Sequence, residues 1–244
     1  MTNSPNASRV RDEILLAIRV RLEVEGFRRC GRNEILTKEV ADGACAWIGL
    51  PAALYRSQPL VVLRPTIGVQ LEAVARLFAR FLDVKYDKCA PATVSRQLGE
   101  LTGGPAAFSI SDPLDAADTA AVIARGLVGP GMQYAGGRMS LEGIVQGLKL
   151  GEGPSAYGVE AMLPLVLAVQ GRLKEAEQAM GHSVELNYDR GGYGAKLLTF
   201  GRHLGDHFGL SDLCSLVVKL EHQLETPPNA PLANNPTVTT STAR

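Results

Sequence analysis

Apolar residues recur every four positions at Val10, Ile14, Ile18 and Leu22, and Leu15 and Val24 widen the stripe. That spacing puts them on one face of a helix, so the segment predicts an amphipathic helix over Ser8–Glu25. Ser8 suits the N-cap, Asp12 and Glu13 complement the helix dipole, and Gly26 offers a left-handed stop against which Phe27 packs. The period then drops to two. Arg32–Val40 predicts a strand, Asp42-Gly43 a hairpin turn, and Ala44–Leu50 the return strand carrying Trp47. Pro51–Pro59 reads as a loop. Leu60–Val69 reads as a third strand, in which Pro65 requires an edge position or a bulge. The helical period returns at Leu71, Val74, Leu77, Phe78 and Phe81, and predicts a second helix ending near Asp83.

Beyond it, Thr93–Leu101 and Ala106–Ile110 fit short strands around the Gly103-Gly104-Pro105 turn. Asp112 is placed to cap a helix with Pro113 at its first position, running to Leu127, where Gly129-Pro130-Gly131 breaks or bends the chain. Ser140 caps a short helix to Leu150, and Gly151-Glu152-Gly153-Pro154 is a further break. Ala156–Gln170, Leu173–Met180, Lys196–Phe208 and Ser211–Leu224 predict helices, with Tyr188–Gly194 as a glycine-rich loop. The fold class is therefore α+β: a small, mostly antiparallel sheet flanked by helices, with a helical C-terminal half. The expected organisation is a flexible start (1–7), one α+β domain (8–225) and a disordered tail (226–244). That tail is uncharged until Arg244 and rich in Pro, Asn and Thr, so it buries too little apolar area to offset its ordering entropy.

The chain has 244 residues, 45% of them hydrophobic, enough for a substantial core. Its 25 basic residues balance 25 acidic ones, which removes any global electrostatic case for nucleic acid or a membrane surface as partner. Arg28, Arg29 and Arg32 cluster locally and read as a solvated rim. No run approaches the roughly 20 apolar residues of a membrane span, and Met1–Ala7 has no apolar leader core. Cytoplasmic is the expected location. Cys30, Cys45, Cys89 and Cys214 are widely spaced without a CxxC pair, which predicts free thiols in a reducing compartment.

Chemical candidates are few. His203 and His207, with Asp206 between them, would share a helical face, the spacing of two metal ligands; His182, Glu185 or Glu221 could complete a hydrolase site. The internal glutamate of HExxH is missing, and a polar face on a terminal helix explains the pair as well. The "YDRGGYGAK" segment resembles a phosphate cradle only in having glycines and a lysine; it does not match GxxxxGK[ST]. Asp112, Asp115 and Asp118 fit a helix start better than a cation site. Arg64 fits a sheet edge with its head in water or an anion contact, and Trp47 fits core packing better than an exposed anchor. No catalytic, cofactor-binding or metal-binding residue is assigned, and no cofactor is expected.

The order "RVRDEILLAIRVRLEVEGFRR", "AWIGL", "LVVLRPTIGV" and "YGVEAMLPLVLAVQGRLKEAEQAM" resembles small bacterial α+β proteins of uncharacterised function. Some of these act as immunity proteins of toxin–immunity systems. The resemblance spans residues 8–182 and is strongest at "LAVQGRLKEAEQAM". It implies a non-enzymatic protein whose partner is a cognate bacterial toxin or effector, neutralised by a complementary surface. It carries over no catalytic residue. The alternatives are a metal-dependent hydrolase using His203, Asp206 and His207, or an adaptor subunit.

Overall fold

The first helix, α1 (Pro5–Val24), buries Val10, Ile14, Ile18 and Leu22 completely and stops at Gly26, whose φ is +87°. It begins before Ser8, which lies inside the helix instead of capping it, and residues 5–7 are helical where flexible chain was expected. The structure is a computed structural model that describes residues 5–31, 34–55, 60–153 and 158–225. Arg32 and the expected tail (226–244) lie outside the described residues.

The strands are β1 (Arg28–Arg29), β2 (Ile35–Ala41), β3 (Ala44–Gly49), β4 (Ala52–Tyr55), β5 (Leu60–Leu63), β6 (Thr66–Leu71), β7 (Val94–Gln97) and β8 (Phe108–Ile110). Five of them form an antiparallel sheet in the order β1-β2-β3-β6-β7, and a three-stranded sheet has the order β4-β5-β8. The β2–β3 hairpin turns at Gly43, whose φ of +68° is left-handed, as the Asp-Gly pair predicts. The expected third strand is two strands. Arg64-Pro65 ends β5 in the small sheet and starts β6 in the large one, because Pro65 has no N–H for a ladder and its carbonyl accepts from Leu98 N instead. The expected loop 51–59 contains β4, and the expected strand Thr93–Leu101 turns helical after Gln97.

The helices that follow are α2 (Glu72–Phe81), α3 (Leu98–Thr102), α4 (Pro113–Gly126), α5 (Met132–Gly136), α6 (Leu141–Lys149), α7 (Gly158–Val169), α8 (Leu173–Asn187), α9 (Gly191–Phe208) and α10 (Ser211–Glu225). Asp112 caps α4 by accepting from Leu114 N at 2.9 Å, and Ser140 caps α6 by accepting from Gly143 N at 3.0 Å. Gly129-Pro130-Gly131 does not break the chain. Residues Leu127–Gly131 form a π-helical turn joining α4 to α5, which absorbs the proline's missing donor. Gly131 lets that turn rest on β6: a Cβ there would lie 3.0 Å from Ile67 Cδ1. The expected loop 188–194 shrinks to a short junction between α8 and α9. Gly194 permits it, since a Cβ would lie 2.4 Å from the carbonyls of Asn187 and Tyr188.

Residue parity assigns the faces of the large sheet. Leu36, Ala46, Ile48, Ile67, Val69 and Val94 point to one face and join a single buried cluster with α1 and the C-terminal helices. Trp47 points to the other face and is outside that cluster. Cys30, just after β1, and Cys89, between α2 and β7, form a disulfide with Cα atoms 5.5 Å apart. This corrects the expectation of four free thiols: the fold brings together two cysteines that are 59 residues apart. Cys45 and Cys214 are the free pair. Among the described residues no helix is long and apolar enough to cross a membrane.

Candidate binding groove on the outer sheet face

The outer face of the large sheet is built from a row of small and polar residues around one indole. Trp47, Gly68 and Ser95 stand opposite one another across β3, β6 and β7, and Gly49, Thr66 and Gln97 form the next row. Two glycines in these rows make room. A Cβ at Gly49 would lie 2.4 Å from the Trp47 ring, so the indole lies across Gly49, and a Cβ at Gly68 would lie 2.2 Å from the Val94 carbonyl. The result is a trough with a flat aromatic floor.

Trp47 is 9% exposed and borders two cavities. One, of about 810 Å³, lies toward β7 and is walled by Pro91, Ala92, Arg96, Glu100 and the Leu150–Gly153 segment. The other, of about 590 Å³, lies toward α1 and is walled by Arg11, Asp12, Glu34 and Pro51. A third, of about 300 Å³, continues the same face past Thr37, Glu39 and Cys45 to Tyr86 and Lys88. The indole Nε1 is buried and meets no acceptor among the described residues. A buried donor without a partner is uncommon and marks a position where an incoming acceptor would gain a hydrogen bond.

One lip of the groove is held by a buried ion network. Glu152, 6% exposed, accepts from Arg138 Nε at 2.9 Å, Arg138 Nη2 at 3.1 Å and the Tyr134 hydroxyl at 3.0 Å, with Arg96 Nη1 3.9 Å away. Its backbone carbonyl accepts from Ser95 N at 2.8 Å and so covers part of the free edge of β7. Burial alone would raise the Glu152 carboxyl's pKa, but the Arg138 and Tyr134 donors and the two guanidinium charges outweigh it and hold the group below its ordinary value. Tyr134 is pushed well above the usual phenol range by burial and then by the Glu152 charge, so its hydroxyl remains a donor. Arg96 also bonds Glu100 at 2.9 Å. The two carboxylates of the larger cavity are thus both in ion pairs, and its described lining contains no histidine or cysteine. That is the chemistry of a shaped, rigid surface.

The histidine candidates lie elsewhere. His203 Nδ1 is 2.9 Å from the Phe81 carbonyl, which can only accept, so this nitrogen carries the proton. His207 packs edge-on against Phe81 and Phe208. Asp206 accepts from the Cys214 thiol at 3.6 Å, and Glu221 is paired to Arg202. Among the described residues no three His, Cys, Asp or Glu side chains are grouped to hold a metal ion. The free thiols are not activated. Burial raises Cys45, and burial and then Asp206 raise Cys214.

Trp47 is as buried as core packing predicts, yet it floors a groove on the face opposite the main core. The Glu152 network left little trace in the sequence, where "GEGP" reads only as a break. A carboxylate between two glycines is its one visible signal. No family model, curated protein or solved structure matches the chain.

Proposed function

We propose that this chain is a non-enzymatic binding protein that seats part of a partner protein in the outer-face groove, the partner being a cognate bacterial toxin or effector that it neutralises. The observation that supports this reading is Trp47, a large aromatic floor with an unpartnered donor between two open cavities, rimmed by charged side chains. Tryptophan and arginine dominate the energetics of protein interfaces, and a buried aromatic anchor surrounded by a polar rim is their usual anatomy. Inhibition by occlusion asks for no reaction chemistry, in keeping with ion pairs that are already satisfied.

The test is co-expression with each protein encoded by the neighbouring genes when that protein arrests growth. Rescue of growth, a 1:1 complex of the purified proteins, and a change in Trp47 fluorescence on titration are the expected results. Trp47→Phe retains an aromatic floor and removes the donor. At the roughly 2 kcal/mol typical of an interface hot spot, it weakens binding about 30-fold. Absence of rescue, or a complex whose affinity is indifferent to Trp47→Phe and Trp47→Ala, sinks the reading.

A further inference from the structure

The outer face has a roof. Residues 83–93 leave α2 at Asp83, which takes a left-handed φ of +54°, and run to β7 without helix or strand. Their ties to the body are few. Val84 N donates to the Ala79 carbonyl at the start, and at the end Thr93 N donates to the Val69 carbonyl while Gln70 Nε2 reaches the Ala90 carbonyl. Between those ends Arg76 stacks on the Tyr86 ring at 4.4 Å, and Cys89 is bonded to Cys30. The Asp87 bonds to Cys89 N and Ala90 N are internal to the segment. Val84, Lys85, Asp87, Lys88 and Pro91 are exposed, whereas Cys89 is 8% exposed and Ala92 2%.

This segment supplies walls to two of the three cavities: Pro91 and Ala92 beside Trp47, and Tyr86 and Lys88 beside Cys45. Ala92 sits over Gly68, where an added Cβ would lie 2.7 Å from its own. The covalent tie lies beside the Gln70–Ala90 bond and closes off the stretch 85–88, which is held to the body by the Arg76–Tyr86 stacking. We propose that the Cys30–Cys89 bond is a redox-sensitive clamp that keeps residues 83–93 down as the groove's roof, and that its reduction frees the roof while the rest of the fold stays in place. In that step a dithiol reductant breaks the sulfur–sulfur bond. Cys30 and Cys89 each gain one electron and one proton, and the two thiols of the reductant close to a disulfide. The oxidised form is the state in which the groove has two defined walls. The inference rests on the groove being a binding site, but the motion it describes does not.

The test uses the full chain and needs no partner. Alkylation under denaturing, non-reducing conditions should label the free pair, Cys45 and Cys214, and leave Cys30 and Cys89 unlabelled until a reductant is added. The folded protein is then compared before and after dithiothreitol by amide hydrogen exchange, by fluorescence of its single Trp47, and by far-UV circular dichroism. Exchange at residues 84–90 faster by about tenfold or more, a red-shifted and more quenchable Trp47, and an unchanged helical signal are expected. The Cys30→Ser/Cys89→Ser protein should match the reduced wild type without reductant. The proposal is overturned if Cys30 and Cys89 alkylate from the outset, or if exchange and emission are unmoved once the bond is open. It is also overturned if helix content collapses with the roof, since the bond would then hold the whole fold. A roof that loosens while neither redox form binds any growth-arresting protein encoded beside this gene leaves the clamp standing and removes the binding reading.

Discussion

Replacing Glu152 by glutamine keeps the side chain's shape and removes its charge. In the native protein the carboxylate is 6% exposed and holds two bonds from Arg138 and one from Tyr134. Breaking a buried ion pair from one side typically costs about 3–5 kcal/mol, because the other charge stays behind in a poor environment. Here the Arg138 side chain is 20% exposed and can turn partly to water, and glutamine retains one acceptor. The lower end applies, about 3 kcal/mol, which for a chain of this size lowers Tm by roughly 6–12 °C. The pH dependence separates charge from packing. Because the Glu152 pKa is lower folded than unfolded, its contribution is fully present above the unfolded value of about 4.3 and disappears as pH falls through the folded one. Urea melts of wild type and Glu152→Gln should therefore differ by a constant gap from pH 7 to about 5 that narrows in acid. A gap below about 0.5 kcal/mol at neutral pH, or one that survives undiminished at pH 3, would refute the network as described.

Closing the 59-residue span between Cys30 and Cys89 is worth about 4 kcal/mol in the chain-entropy picture, so urea midpoints of the oxidised protein should fall on reduction by that equivalent. Gly68→Ala forces a Cβ to 2.2 Å from a backbone carbonyl and should cost about 3 kcal/mol, whereas Gly129→Ala, which meets nothing within 4 Å, should be neutral or slightly stabilising by thermal melt. Asp112→Ala removes the bond to Leu114 N and should cost about 1 kcal/mol by the same assay.

Much of the architecture was legible because its signals are local. The four-residue stripe of α1, the Asp42-Gly43 turn, and the Asp112 and Ser140 caps depend on neighbours within a turn of helix or hairpin, and each stands where the pattern puts it. Misreadings arose where tertiary contact overrules local preference. Gly129-Pro130-Gly131 reads as a break or a bend, but the helix runs through it as a π turn resting on Ile67, and the glycines at 191–194 read as a loop but allow two helices to meet closely. Pro65 is neither an edge position nor a bulge within one strand, but the point at which one strand ends and another begins. That the chain changes sheets there depends on partners far along the sequence. The groove was the least legible part. Glu152 meets Arg138 and Arg96, and Cys30 meets Cys89, through the tertiary fold, and no spacing rule connects them.

The alternation along β3 has an evolutionary consequence. Ala46 and Ile48 pack in the core, and Trp47 and Gly49 line the groove. On the proposed binding reading, exchanges at Trp47, Thr66 and Gln97 would change the contact surface and leave the core residues of the strand untouched. Gly68 and Gly49 are the fixed points of that surface, since a Cβ would strike the Val94 carbonyl at the first and the Trp47 ring at the second. Variation on the outer face would thus be bounded by two glycines, and variation on the inner face by the core.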